Sequence, residues 1–120
     1  MKISIIIPAY NEEKYLASTL ASLVVARDRV GGDAEIIVVD NESTDRTAEI
    51  ASSFSIRLIN ESVHNIGRVR NTGAGAAAGD VVIFIDADTT VPAELFEPRE
   101  RDYAKRALSW WRRIGRLRPV

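Results

Sequence analysis

Short apolar runs alternate with stretches of helical periodicity through the first three quarters of this chain. The runs lie at residues 3–7, 36–39, 56–59 and 81–85, and most of their residues are β-branched. Runs of four or five such residues are typical of strands, and those with little polar content are typical of strands buried on both faces. The strand–helix–strand alternation predicts an α/β fold, with three α/β/α layers and a mostly parallel, Rossmann-like sheet joined by right-handed crossovers.

The length and charge of the chain indicate one domain followed by a basic tail. The chain has 120 residues, 46% of them hydrophobic, and no cysteine, so neither a disulfide framework nor a thiolate site is expected. Residues 1–96 carry 8 basic and 14 acidic side chains, whereas residues 97–120 carry 8 basic and 3 acidic ones. We therefore divide the chain into an α/β domain at 1–96 and a tail at 97–120.

The tail predicts an amphipathic helix. Its apolar residues recur at helical spacing among arginines, and they are Tyr103, Ala107, Trp110 or Trp111, Ile114 and Leu117. Such a helix would lie on an anionic membrane surface, or its aromatic face would pack on the sheet or on a second subunit in a homodimer. No nucleic-acid partner is predicted.

The sequence contains no recognisable secretory or membrane-spanning segment. The first apolar run is too short for a secretory signal, and no stretch approaches the roughly 20 apolar residues of a spanning helix. We expect a cytoplasmic location, which becomes peripheral at the inner face of the membrane if the tail binds lipid.

Two carboxylates follow the apolar run at residues 81–85. Asp86 and Asp88 are two residues apart, so on extended backbone they project to the same side where the strand leaves the sheet. Paired carboxylates at the carboxyl edge of a sheet suit a hard divalent cation bridged to phosphate oxygens. The alternative is a solvated turn in which one of them caps the next segment.

Two other polar clusters also follow predicted strands. Residues 8–12 follow the first strand, and Asp40 follows the second. Ligands of open α/β sheets bind at this edge, so all three clusters are expected to meet at one crevice. Carboxylates for a cation, an acidic side chain for a base or ribose, and arginines for phosphate charge together suit a nucleoside diphosphate. Arg68 and Arg70 are the candidate arginines, and the alternative is that they pair with local acids.

Several residues also have local structural interpretations. Pro8 is expected to end the first strand because it lacks an amide donor, and Asn11 to cap the following helix. Gly73, Gly75 and Gly79 precede a strand instead of following one, so they are interpreted as packing glycines and not as a dinucleotide fingerprint, with Gly79 also ending its helix. His64, the sole histidine, is interpreted as a hydrogen-bonding loop residue.

The chain resembles the nucleotide-sugar-binding half of inverting family 2 glycosyltransferases, which have the GT-A fold. The resemblance covers about residues 3–92 and rests on four motifs in the family's order: IIIPAYNEE at 5–13, IVVDNESTD at 37–45, NIG at 65–67 with RNTG at 70–73, and GD at 79–80 leading to DAD at 86–88.

The resemblance implies a donor site bound through Mn²⁺ or Mg²⁺, with a UDP-sugar favoured as the donor. Residues assigned to the donor are Pro8, Ala9 and Glu12 in the nucleoside pocket, Asp40 at the base, Arg70 and Asn71 in the pocket wall, and Asp86 at the sugar or ribose. Asp86 and Asp88 are assigned to the metal on the diphosphate. The expected reaction is attack of an acceptor hydroxyl on the anomeric carbon.

The chain departs from this family after the DAD motif. The family's general base lies well downstream, in an acceptor-binding half, but only 32 residues follow Asp88 and no catalytic base is identified among them. We therefore expect a truncated transferase, and a non-catalytic nucleotide-sugar-binding module is the alternative. A haloacid-dehalogenase-like phosphatase with Asp86 as nucleophile is a weaker alternative, because that motif normally begins its domain.

Overall fold

A computed structural model describes residues 2–31, 33–97 and 116–118, the last of these by backbone alone. In chain order, the elements are β1 (Ile3–Ala9), α1 (Leu16–Asp28), β2 (Ala34–Asp40), α2 (Thr47–Ser52), β3 (Arg57–Asn60), α3 (Ile66–Ala76), β4 (Val81–Phe84) and β5 (Arg116–Arg118). The predicted strand–helix alternation is confirmed, with boundaries that differ by one or two residues in most strands.

The described strands form one sheet in the order β3-β2-β1-β4-β5. The first four are parallel, and β1 lies between β2 and β4, with Ala9 opposite Asp40 and Ile6 opposite Phe84. This register brings the carboxyl ends of β1, β2 and β4 to one edge of the sheet, as the alternation predicts.

Helices cover both faces of the sheet. On one face, Ile5, Ile7 and Val38 pack in a buried cluster with Leu16, Leu20 and Leu23 of α1, and α2 adds Ala51. On the other face, a second cluster joins β1, β2 and β4 to Val69 of α3. The inner strands therefore bury both faces, which explains their continuous apolar sequences and confirms the three-layer architecture.

Pro8 lies inside β1 and does not end it, contrary to the prediction. Ile85 N donates to Ile6 O at 3.0 Å, so even-numbered residues of β1 direct their backbone polar groups towards β4. The pairing with β4 stops at Ile6 and Phe84. Pro8 lies two residues further along, where β1 no longer pairs with β4. No strand hydrogen bond is therefore lost through its missing amide N–H, and β1 continues alongside β2.

Two of the three predicted packing glycines are confirmed, and the third is not. A Cβ at Gly73 would lie 2.4 Å from Ile6 Cγ2, and one at Gly79 would lie 2.7 Å from the backbone N of Ser4. At Gly75 a Cβ would meet nothing within 4 Å, so that glycine faces open space. Gly79 lies beyond the end of α3, so it does not end that helix. A glycine is required at this position because the backbone contacts β1 closely.

The predicted tail helix does not extend through Leu117. Residues 116–118 form β5, which pairs antiparallel with β4 through Ile83 opposite Leu117. Residues 98–115, where most of the predicted helix falls, lie outside the described residues, so the helix there and the domain boundary at 96 stay predictions. None of the described helices is long and apolar enough to cross a bilayer.

Candidate functional site

The predicted site residues lie on neighbouring parts of one sheet edge. Ala9 ends β1 with Pro8 just before it, Asp40 ends β2, and Asp86 follows β4 by two residues. Since β2 and β4 flank β1, two strand spacings, or roughly 10 Å, separate the Asp40 and Asp86 positions across the sheet. The first condition for a shared donor site, that both acidic positions lie on the same side of the molecule, is met.

The loop after β1 is bonded to the loop after β2. The side-chain oxygen of Asn11 accepts from Thr44 N at 2.8 Å, and Asn11 N donates to Ser43 Oγ at 2.9 Å. Asn11 has a positive φ of 52°, and α1 begins only at Leu16. The prediction that Asn11 caps α1 is therefore wrong, because its side chain bonds a loop 33 residues away.

Glu12 is held by the start of α2. Its backbone N donates to Thr47 Oγ1 at 2.9 Å, and Thr47 is fully buried. Asp45, two residues before Thr47, accepts from Thr47 N at 2.9 Å. The backbone of Glu12 is thereby fixed to α2, and the residue is half-buried.

Asp40 is a buried carboxylate with a fixed orientation. Its Oδ1 accepts from both the backbone N and the hydroxyl of Ser43, at 3.2 and 2.5 Å. Ser43 Oγ is itself bonded by Asn11 N, so the two loops together set the Asp40 rotamer. A preoriented acceptor is what recognition of a base N–H requires, because less rotamer entropy is lost on binding.

A cavity of about 190 Å³ opens beside these residues. It is lined by Pro8, Ala9, Tyr10, Glu12, Asn41, Ile66 and Val69. Three of these residues, Pro8, Ala9 and Glu12, were predicted for the nucleoside pocket. A larger and more open depression, about 630 Å³, lies at the opposite edge among residues such as Arg27, Glu35 and Arg57 and contains none of the predicted site residues.

The remaining four lining residues were not predicted from the sequence. Tyr10, Asn41 and Ile66 lie inside the matched motifs, and their place in those motifs is the signal that would have found them. Asn41 closes one wall, since its side-chain amide donates to Glu61 O at 2.7 Å and Val63 O at 3.0 Å. Val69, one turn after Ile66 on α3, lies outside the motifs and carried no functional signal.

Arg70 and Asn71 lie on α3, but neither lines the cavity. The Arg70 guanidinium lies over the ring of Phe84, with its central carbon 5.8 Å from the ring centroid, so it reaches the end of β4. Asn71 is exposed. Their assignment to the pocket wall stays a prediction.

His64 is exposed near the mouth of the cavity. Its ring meets the ring of Tyr10 edge to face, with centroids 5.5 Å apart. This aromatic contact, rather than the hydrogen bond that we expected, is the interaction that places the His64 ring.

Asp86 and Asp88 lie in the turn that follows β4. Thr89 N donates to Asp86 O at 3.1 Å, and Ala87 between the two acids is buried. Asp86 is half-buried and Asp88 exposed. Residues 87 and 88 form a turn and not extended backbone, so the strand alternation from which we predicted a shared side for the two carboxylates does not reach Asp88.

The edge carries concentrated negative charge. Partial burial, followed by the charges of Asp88, Asp45 and Asp86, raises the pKa of the Glu12 carboxyl above its ordinary value. Within the described part of the chain, no three His, Cys, Asp or Glu side chains group closely enough to hold a metal ion. The residues present fit a cation that takes two protein carboxylates and obtains its other oxygen ligands from a bound diphosphate.

Replacement of Glu12 by glutamine is expected to stabilise the fold at neutral pH. Because the folded-state pKa of Glu12 is raised, the folded protein binds more protons than the unfolded chain in the window above 4.5, and the unfolding free energy falls as pH rises through it. Glu12→Gln removes this loss, so we expect a higher unfolding free energy and a higher Tm than those of the original protein at pH 7.

Thermal unfolding of both proteins between pH 4 and 8 measures the effect. Asp33→Asn, which removes one negative charge before β2 at the opposite edge, is the control and is expected to show no such gain. A Glu12→Gln protein that is no more stable than the original at pH 7 would contradict the prediction.

Comparisons with known proteins show the family of this chain. The model for glycosyl transferase family 2 matches residues 4–106. One similar relative is the poly(ribitol-phosphate) β-N-acetylglucosaminyltransferase TarS of Staphylococcus aureus, which is 36% identical over 101 residues. That match covers 78% of this chain and 17% of TarS.

Solved structures of glycosyltransferases have the same fold. The structure of S. aureus TarS 1-349 in complex with UDP-GlcNAc matches 94% of this chain and 32% of its own length, with a TM-score of 0.70 and 28% identity. The mannosyltransferase PcManGT from Pyrobaculum calidifontis, in complex with GDP-Man and Mn²⁺, matches 92% of this chain and 32% of its own length, with a TM-score of 0.70 and 26% identity. The chain spans about a third or less of the length of these proteins. The resemblance in the four motifs is confirmed, and the chain belongs to glycosyl transferase family 2.

Proposed function

We propose that this chain binds a nucleoside diphosphate sugar through a divalent cation and serves the transfer of that sugar to an acceptor hydroxyl. The observation that carries the proposal is the convergence of Glu12, Asp40, Asp86 and Asp88 on the sheet edge that also holds the 190 Å³ cavity. Family membership and the nucleotide-sugar complexes of TarS and PcManGT support it.

The cavity fits the nucleoside part of such a donor. Pro8 and Ala9 are apolar residues of its lining, and Tyr10 and Ile66 add exposed apolar side chains. Asp40, at the end of β2 beside it, presents a fixed carboxylate for a base N–H. We propose a UDP-sugar as the favoured donor, as in the TarS complex with UDP-GlcNAc.

The diphosphate would lie between the cavity and the turn after β4. There Asp86 and Asp88 would hold Mn²⁺ or Mg²⁺, and when bound the cation would neutralise the charge of the departing nucleoside diphosphate. The chain's own residues supply the orientation of the donor. A donor held at Asp40 through its base and at Asp86 and Asp88 through its diphosphate would present its anomeric carbon to an acceptor hydroxyl.

Metal-dependent binding across a panel of UDP-, GDP- and dTDP-sugars tests this function. We expect calorimetry to detect UDP-sugar binding in Mn²⁺ or Mg²⁺, and binding to weaken at least about 10-fold when the metal is chelated. Failure of every nucleotide sugar to bind, or equal affinity with and without metal, would contradict the proposal.

A radiolabelled donor assay separates the two remaining functions. Donor binding without transfer by this chain would favour the nucleotide-sugar-binding module, whereas turnover would establish a catalytically sufficient chain. Family membership favours either function over phosphatase chemistry at Asp86. A cytoplasmic location, contact of the tail with anionic lipid, and a homodimer stay predictions from the sequence.

A further inference from the structure

The turn that carries Asp86 and Asp88 is bonded to a buried hydroxyl of α1. Thr19 Oγ1 donates to the backbone oxygen of Ala87 at 2.8 Å, and this carbonyl lies between the two acidic residues. Thr19 is fully buried. The bond joins residues 68 positions apart in the chain, so it fixes the turn to the helix layer instead of to its own strand.

A second hydroxyl, one turn further along α1, holds the other end of the same segment. Ser22 Oγ accepts from Val91 N at 3.1 Å and donates to Thr19 O at 2.8 Å. The two side chains therefore bracket residues 87–91 from one helix face. The turn also closes on itself through the bond from Thr89 N to Asp86 O.

The surroundings of Thr19 make its hydroxyl unusual. The neighbouring inward positions of α1 are Leu16, Leu20 and Leu23, each fully buried in the apolar cluster. Packing alone would be served by valine, which has the same shape without the need for a partner. A hydroxyl at this position is explained by its hydrogen bond to the Ala87 carbonyl, which belongs to the peptide linking Ala87 to Asp88.

We propose that Thr19 and Ser22 are positioning residues that hold Asp86 and Asp88 at the spacing required to share one cation. This inference rests on the proposed function and deepens it. Neither residue lines the cavity. Each acts through the backbone of the turn, as outer residues do when they orient the ligands of a metal site.

The experiment compares Thr19→Val, Thr19→Ser and Ser22→Ala with the original protein. Ser52→Ala is the matched control for Ser22→Ala, because Ser52 also bonds a carbonyl of its own helix, Ala48 O, but lies on α2 and holds no part of the turn. The readouts are the affinity for UDP in the presence of Mn²⁺, the affinity for uridine alone, and amide hydrogen exchange at residues 86–91.

Thr19→Val is expected to weaken Mn²⁺-dependent UDP binding about 10-fold, to leave uridine affinity unchanged, and to accelerate exchange at residues 86–91. Thr19→Ser restores the hydroxyl and should restore affinity, and Ser22→Ala should weaken it while Ser52→Ala does not. Equal UDP affinity for Thr19→Val and the original protein, or parallel loss of uridine binding, would overturn the positioning role. If the original protein binds no UDP with Mn²⁺, the proposed function itself fails.

Discussion

Asp88→Asn is expected to weaken Mn²⁺-dependent binding of UDP by about 100-fold or more while leaving the fold intact. A neutral amide is a poorer ligand for a hard cation than a carboxylate, and loss of a direct ligand should cost more than the 10- to 100-fold typical of outer residues. Asp88 is exposed, so its replacement removes no core contact. The substitution also removes a charge that raises the pKa of Glu12, so thermal stability should be equal or higher.

Calorimetric titration of UDP with and without Mn²⁺, together with a melting curve, measures both parts of this expectation. Asp33→Asn carries the same charge change at the opposite edge and should bind UDP as the original protein does. If the UDP affinity of Asp88→Asn in Mn²⁺ lies within about threefold of that of the original protein, Asp88 is not a ligand of the proposed metal site. Loss of a direct ligand should weaken binding more than the 10- to 100-fold typical of outer residues.

Gly73→Ala and Gly75→Ala are expected to change stability in opposite directions. At Gly73 an added Cβ would lie 2.4 Å from Ile6 Cγ2 and 3.0 Å from Val39 Cγ2, and both side chains are fully buried. Relief requires α3 to move off the sheet, and overpacking of this kind costs about 1–3 kcal/mol. At Gly75 nothing lies within 4 Å, so alanine gains about 0.5 kcal/mol of helix propensity.

Denaturant unfolding of the two variants measures the difference, and each is the control for the other because both make the same chemical change in α3. Gly73→Ala should also weaken nucleotide binding, since α3 supplies Ile66 and Val69 to the cavity. Stabilisation of both variants would contradict the prediction, because it would show that α3 can accept a Cβ at residue 73 against β1.

The strands and the site edge could be predicted from the sequence because both depend on local patterns. Apolar runs reveal strands buried on both faces, and the alternation with helices requires parallel pairing. Once the strands are parallel, residues that follow their carboxyl ends must share an edge. That reasoning placed Asp40, Asp86 and Asp88 on one side of the molecule without knowledge of the strand order.

The errors concern residues whose roles depend on distant partners. Asn11 is a residue type typical of helix caps, but its side chain bonds the loop at Thr44. Pro8 is tolerated within β1 because the pairing with β4 ends before Pro8. Gly73 and Gly75 are two residues apart in one helix, yet only Gly73 faces the sheet. No local pattern distinguishes these cases, since the deciding atoms lie about 30 or more residues away.

By itself, the sequence determined the layer architecture, the parallel sheet and the acidic edge, because the spacing of apolar and polar residues encodes which side chains are buried. Only the tertiary structure decided that β1 is central, that Asn41 closes the cavity wall, that Thr19 holds the turn after β4, and that residues 116–118 extend the sheet. These features depend on the register between segments far apart in the chain, and register is set by packing of the whole fold.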